Sequence, residues 1–346
     1  MFKIKIFSLL SFILVLQIAA QNRDNNINLK VFEIKKTSIR AIEVVNDSTV
    51  WFAGANGKFG RITNSEIELD SIIHNNNTLN FRSIAYNGAH IFIMSIEDPA
   101  IMFKIDPNNH RIDKPKIVYQ ESHEKVFYDS LSFFDDKNGI AMGDPTDECL
   151  SVILTHDGGN SWKKINCENL PRVFDGEAAF AASDTNIAIF KNKVWIVTGG
   201  KKARVFVSNN LGKDWEVYDT PIVQGETMTG IFTVDFYNEN VGIIMGGNWE
   251  DKSNTKATKA LTNDGGKTWQ LIDNEIIPGY ISCVKYIPDT KGTKILAVST
   301  EGIYRSDDKG NSWKKISNEG YYSIKFVNKN TAWLSGHQKI AKLSLD

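Results

Sequence analysis

Short apolar runs ending in a small residue recur along the chain: Val50-Trp51-Phe52-Ala53-Gly54, Ile140-Ala141-Met142-Gly143, Trp195-Ile196-Val197-Thr198-Gly199, Ile243-Ile244-Met245-Gly246 and Ala332-Trp333-Leu334-Ser335-Gly336. Weaker copies are Ile91 to Ser95 and Ile295 to Thr300. Apolar runs this short, bounded by turn residues, predict buried strands. From Gly54 to Gly336 six steps average about 47 residues, the period of a propeller blade. Each run follows another strand and a polar turn, as in Leu131-Ser132-Phe133-Phe134 followed by Asp135-Asp136-Lys137-Asn138-Gly139. That acidic turn has the look of a calcium loop. Thr146 stands where the closing glutamate would be, so a plain turn is the reading.

An eight-residue turn repeats as well: Thr155-His156-Asp157-Gly158-Gly159-Asn160-Ser161-Trp162, Thr262-Asn263-Asp264-Gly265-Gly266-Lys267-Thr268-Trp269 and Ser306-Asp307-Asp308-Lys309-Gly310-Asn311-Ser312-Trp313. A degraded copy runs Ser208-Asn209-Asn210-Leu211-Gly212-Lys213-Asp214-Trp215. At the third position Asp accepts turn amides, and at the fifth Gly supplies a positive φ. The seventh-position hydroxyl bonds locally, and the Trp packs on the adjoining sheet. The spacing resembles the Asp-box, or BNR, repeat of sialidases and of many non-enzymatic propellers. The resemblance implies turns at the outer edge of each blade, far from any active site.

Counting blades gives seven four-stranded antiparallel units, starting near Ile39, Phe81, Ser130, Ala179, Ile231, Ile281 and Ser323. The last has room for three strands, so the alternating segment Leu29 to Lys35 is expected to add the missing outer strand and close the ring, hiding sheet edges. No linker interrupts the array. Residues 21–346 are therefore read as one all-β propeller domain.

Residues 1–20 read as a secretory signal: Lys3 and Lys5, an apolar stretch from Ile6 to Ile18, then Ala19-Ala20 for cleavage. The apolar stretch is shorter than the roughly 20 residues that span a bilayer, and no later segment is long enough. The expectation is a secreted or periplasmic protein of a Gram-negative-type envelope, without a membrane span after signal removal. Hydrophobic content of 42% and charged content of 23% suit a folded chain. The formal charge of −1, with no Lys/Arg run, argues against nucleic acid as a partner. Cys149, Cys167 and Cys283 lack zinc spacing. Export permits a disulfide, and a hairpin at 155–162 would set Cys149 opposite Cys167; burial of all three as small apolar residues is the alternative.

Beyond the turns, the chain resembles the Ycf48/Hcf136-like propellers, known as photosystem II stability or assembly factors. The likeness rests on Ala53-Gly54, on Phe134 to Pro145 with Gly143-Asp144-Pro145, on Gly176 to Ser183, and on Gly246-Gly247-Asn248-Trp249, and spans residues 30–346. The Asn-, Lys- and Ile-rich composition fits an AT-rich bacterium rather than a phototroph, so the assembly role does not carry over with the fold.

Strand starts and loops on one face of a propeller form its mouth. The count places Arg40, Arg82, Tyr128, Asp129, Glu177, Thr229, Tyr280 and Tyr321 there, with Asp98, Asp144, Arg172, Asn248 and Trp249 from loops. Glu177, Trp249, Asn248, Asp144, Arg40, Arg82, Arg172 and Tyr280 are the ligand or partner candidates, with Glu177 and Trp249 first because they fall in the resembling segments. Arginines that grip a carboxylate beside a Tyr-Glu pair are what a sialidase uses. Its Phe/Tyr-Arg-Ile-Pro motif is absent: Arg82 sits in Phe81-Arg82-Ser83-Ile84 and Arg40 in Ser38-Ile39-Arg40-Ala41. The six histidines show no HxH or HExxH spacing, and no P-loop, GxGxxG or GxSxG occurs. No metal and no cofactor are expected. The leading expectation is a monomeric, non-enzymatic propeller binding a protein or glycan, possible roles including assembly or stability factor; a sialidase-like glycoside hydrolase is the alternative, and a structural module of an envelope assembly the third.

Overall fold

The computed structural model describes residues 27–109, 115–272 and 279–345. The expected signal segment, residues 1–20, lies outside the described residues. The described chain is a β-propeller of antiparallel sheets, with no α-helix among the described residues and one 3₁₀ turn at Cys167–Asn169. No described helix is long and apolar enough to cross a membrane.

Four sheets hold four strands in simple up-and-down order: Phe81–Tyr86 to Lys116–Glu121, Tyr128–Phe133 to Lys163–Lys164, Ile187–Phe190 to Glu216–Asp219, and Cys283–Tyr286 to Lys314–Ser317. A fifth runs from Thr229–Phe236 to Gln270–Leu271 and is widened by the short pieces Glu177–Ala178 and Gly199–Gly200. The sixth joins, in order, Ser323–Asn328, Thr331–Leu345, Ile27–Asn46, Thr49–Gly54, Lys58–Thr63 and Glu66–Ser71.

Beside a two-stranded hairpin of Ile73–His74 and Asn77–Thr78, six blade sheets therefore stand apart among the described residues, not the seven blades counted from the repeats, and two long strands are the reason. Ile27–Asn46 pairs through Ile27–Glu33 with Lys339–Leu345, and through Ile39–Asn46 with Thr49–Gly54. The first and last repeats thus share one hydrogen-bonded sheet. Lys36 and Gln338, where these strands turn, take left-handed φ of 59° and 55°. The fourth inner strand also departs from expectation. It starts at Ile187 rather than near Ala179, because the small-residue run before it leaves the sheet.

The apolar runs that opened the sequence reading are the most buried strands: Thr49–Gly54, Ile91–Ser95, Gly139–Gly143 and Ile295–Ser299 have no exposed residue. The outer strands are wet, as Glu66–Ser71 shows. The core lies between neighbouring sheets: Trp51 and Phe59 pack with Phe81 and Ile93, and Trp195 and Val205 with Ile231 and Val234. Burying such rings contributes roughly 25 cal/mol per Å² of apolar surface.

The four repeated turns share one hydrogen-bond plan. In the second complete copy, the Thr262 hydroxyl donates to Asp264 at 2.8 Å and accepts the Gly266 amide at 3.0 Å. Asp264 also accepts the Thr268 amide at 3.0 Å and the Thr268 hydroxyl at 2.6 Å. Gly266 has φ of 90°, which a Cβ would strain. The Trp269 and Trp313 indoles donate to the Gly266 and Gly310 carbonyls at 3.0 and 2.9 Å. In the degraded copy the partners exchange roles: the Asn210 amide nitrogen donates to the Asp214 carboxylate at 2.7 Å, and Asn210 Oδ1 accepts the Asp214 amide at 2.9 Å. Ser208 keeps the first-position bond to the Gly212 amide, and Trp215 donates to the Gly212 carbonyl. Trp162 differs, its buried indole nitrogen having no partner.

Candidate functional site

The run Ala179 to Asn186 does not pair as a strand; it crosses the middle of the propeller, where the innermost strands meet. Arg40 and Arg82 donate to the Ala182 and Ala181 carbonyls at 3.0 and 2.9 Å. Asp184, at φ 60°, accepts the Ile84 and Leu131 amides, each at 2.9 Å, and the Ser130 hydroxyl at 3.1 Å. Thr185 donates to Thr233, Ser183 to the Ser282 carbonyl, and Ser323 to the Ser183 carbonyl. Residues on or next to the inner strands of the other five blade sheets thus bond to this one segment, which fills the axis. Small side chains make the crossing possible, and the polar groups of Ser183, Asp184 and Thr185 find partners from the inner strands, whereas the buried Asn186 side-chain amide has none.

Over the crossing lies a cavity of about 400 Å³, floored by Ala178 to Ala182 and walled by Arg40, Arg82, Asp144, Phe232, Trp249 and Tyr280. Phe180 stacks on Phe232 at 3.9 Å between ring centres, and Tyr280 meets Phe232 and Trp249 edge-on at 4.8 and 5.1 Å. Arg40 lies over the Tyr322 ring at 4.2 Å. One wall is cationic, the other aromatic.

The electrostatics are unbalanced. Among the described residues neither Arg40 nor Arg82 has a carboxylate within ion-pair distance; both spend a donor on a carbonyl, and the buried Arg40 Nε has no partner. Burial, then the neighbouring Arg40, lowers the Arg82 pKa to about 10, with Asp129 and Glu97 acting the other way. Asp129 is fully buried with neither oxygen bonded. Burial, and then Asp144, pushes it well above the usual carboxylate range against the pull of Arg82. Burial raises Asp144 also, although the Ala179 amide donates to it at 2.7 Å. Two acids that cannot both ionise leave the arginine pair short of counter-charge.

Of the eight candidates, Arg40, Arg82, Asp144, Trp249 and Tyr280 line this one cavity. Glu177 does not line it. Its carboxylate, with no exposed surface, takes Arg204 at 2.7 Å, the Thr198 hydroxyl at 2.7 Å and the Phe174 amide at 3.0 Å, so its bonding capacity is spent on holding the loop. Asn248 is used locally: it accepts the Glu250 and Asp251 amides and donates to Glu226. Arg172 stands at the rim, paired with Glu148 at 3.1 Å and largely exposed. Tyr128 is buried on Glu121, Thr229 on the Glu226 carbonyl, and Asp98 is exposed before a cis bond to Pro99. Tyr321 is buried with its hydroxyl unpartnered. Cys149 and Cys167 form a disulfide, and Cys283 is a buried thiol.

Phe180, Phe232 and Met228 complete the cavity and were not anticipated. Phe180 carried a signal: Gly176 to Ser183 breaks the strand alternation with a run of small residues around one Phe. Phe232 had none, since inner-strand aromatics elsewhere are core. Among the described residues no group of three potential metal-binding side chains occurs.

A family model described as Sortilin, neurotensin receptor 3, matches residues 150–301, less than half of the chain. No curated protein sequence matches. Similar solved structures include one described as YCF48 bound to D1 peptide, with a TM-score of 0.65 at 10% identity over 92% of this chain and 96% of that one. YCF48 from Cyanidioschyzon merolae has a TM-score of 0.63 at 12% identity over 91% and 98%. The structure described as U3-55K has 0.64 at 11% over 92% and 98%. At such identities the likeness speaks for a propeller fold.

Proposed function

We propose that the chain is an exported, monomeric, non-enzymatic propeller that binds a protein partner, one segment of which enters the cavity over the axial crossing. The observation that carries this reading is the pairing of two guanidinium groups lacking carboxylate partners with the aromatic wall of Phe232, Tyr280 and Trp249. Arginine and aromatic side chains are the groups that dominate protein recognition. The described binding of a D1 peptide to a propeller of similar fold supports a peptide as the class of ligand. Panning purified protein against displayed peptides tests it: enriched peptides should bind with micromolar Kd and lose about tenfold or more in an Arg40→Ala, Arg82→Ala variant. Failure to enrich, or equal binding by the variant, sinks the reading.

The second reading is the sialidase-like hydrolase, favoured by the two arginines beside Tyr280 and opposed by the engagement of Glu177. Turnover of fluorogenic sialosides or other glycosides that disappears with Arg82→Ala would replace binding by catalysis. A glycan that binds without turnover would keep the site and change the partner. Export is read from the first twenty residues, and a mature amino terminus at Gln21 is the expected result of sequencing the secreted protein.

We propose further that residues 27–35 close the ring by adding a strand beside Thr331–Leu345; Phe32, Trp333 and Ile340 pack with Ile42 and Phe52 within this sheet. Deleting residues 21–35 should then lower the unfolding midpoint. An unchanged midpoint counts against closure.

A further inference from the structure

The cavity is the inner end of a longer groove. Asp144 and Ala178 line both it and a second cavity of about 630 Å³, whose outer part is bounded by Lys125, Asp147, Arg172, Phe174 and Asp175. Phe174 is 54% exposed there, its ring under the Arg204 guanidinium at 4.7 Å. The groove is blind at its inner end, because Ser183, Asp184 and Thr185 occupy the axis below the arginines and are bonded to the inner strands. A chain that brings a negative group to Arg40 and Arg82 cannot continue down the axis. It has the lateral groove past Asp144 and Ala178 as its course.

Resting on the protein-binding reading above, we propose that the group taken at this blind end is the free carboxy terminus of a polypeptide. The terminal carboxylate sits between Arg40 and Arg82. The last side chain is apolar and lies against Phe232 and Trp249. The preceding residues run out over Asp144 and Ala178 towards Phe174. A cavity of about 400 Å³ is at the small end of ligand pockets, right for one large terminal residue and its carboxylate. Two planar guanidinium groups offer the parallel N–H donors that a carboxylate accepts bidentately. Each arginine is anchored by one nitrogen on a crossing carbonyl, so the geometry is set before the ligand arrives.

The test uses the mature protein and fluorescein-labelled octapeptides, made as free acids and as carboxamides, with the last residue phenylalanine, leucine, alanine or lysine. Fluorescence anisotropy should show free acids ending in phenylalanine or leucine binding best, with amidation weakening them about tenfold or more. Arg82→Ala should remove the difference between acid and amide. Because Arg82 also anchors the crossing, Trp249→Ala serves as a second variant: it should weaken acids ending in phenylalanine more than those ending in alanine, and leave the acid–amide difference in place. Equal binding of acids and amides, or a difference that persists in Arg82→Ala, overturns the carboxy-terminus assignment while protein binding stands. If neither series binds but internal displayed peptides do, the assignment falls alone; if nothing binds in either format, both fall.

Discussion

In the turn from Thr262 to Trp269, Asp264 receives two hydroxyls and two amides, and nothing polar on it is left over. At the mouth, Asp129 is wholly buried with neither oxygen bonded, and the buried Arg40 Nε likewise has no partner. The two regions draw on the same kinds of residue. A buried polar group without a partner costs roughly 1–3 kcal/mol, so the turn at Asp264 is a finished structure and the mouth carries an open cost. A cost of that kind persists where something else is gained from it, and an arriving ligand that supplies the missing partners is the simplest gain.

Glu177 is the residue on which this contrast is most exposed to test, because it lies at the mouth yet is bonded like a turn. Truncation by Glu177→Ala leaves Arg204 buried without counter-charge, and the expected loss is about 3–5 kcal/mol of unfolding free energy. Denaturant titration measures it. A loss below about 1 kcal/mol, combined with failure to bind peptide, would return Glu177 to the ligand site and blur the division between finished and open regions.

The next largest effect concerns the rim loop between the two regions. The Cys149–Cys167 disulfide closes 18 residues of sequence separation and pins the stretch that leads to Arg172 and Phe174. Replacing both by alanine should cost about 3 kcal/mol through the entropy returned to the unfolded chain. Peptide affinity should fall less than stability does, since the arginines are held by the crossing rather than by this loop. An affinity loss exceeding that of Arg82→Ala would place the recognition determinants on the rim.

What could be read in advance follows the same division. The turns were legible because each role in them falls to a local residue type at fixed spacing, and the buried second strands because their burial is written in continuous apolar runs. The crossing was not legible. Ala179 to Asn186 looks like an inner strand by position, and only the inner strands of the other sheets, far away in sequence, give Asp184 and Ser183 their partners. The bonding of Glu177 was not legible for a related reason: it depends on Arg204, whose approach no spacing rule announces. Arg40, Arg82 and Tyr280 come together in one cavity because strand starts in a repeat array all reach one face.

A smaller effect sharpens the account of the turns themselves. Asn210 and Asp214 exchange the donor and acceptor found at Asp157 and Ser161, where the hydroxyl donates to the carboxylate at 2.6 Å. Asn210→Asp alone sets two carboxylates against each other and should cost about 1 kcal/mol. Adding Asp214→Ser restores the pattern of the complete copies and should recover that loss. A double-mutant cycle with no coupling would mean the turns tolerate either arrangement independently.

The finest distinction is in pH. Burial opposes ionisation of Asp157 and Asp264 but is outweighed by the Ser161 and Thr268 hydroxyls and amides, which hold both at about 2 against an ordinary 3.8. Their contribution is present above pH 4 and lost as pH falls towards 2; it is small, since both are mostly exposed. Asp184 is the reverse. Burial raises it from 3.8 to about 7 in spite of the Ile84 and Leu131 amides and nearby Lys325, so its contribution is full below pH 4 and lost as pH rises from 4 to 7. Outer turns and axial crossing thus set opposite slopes, and unfolding free energy should decline from pH 4 to 7 with a shallower fall on the acid side. Asp184→Asn removes this contribution to the upper slope and leaves the acid one; Asp264→Asn removes part of the acid one and leaves the upper. If Asp184→Asn left the slope between pH 4 and 7 unchanged, the crossing would hold an ionised carboxylate, and the axis would belong with the finished regions of the molecule.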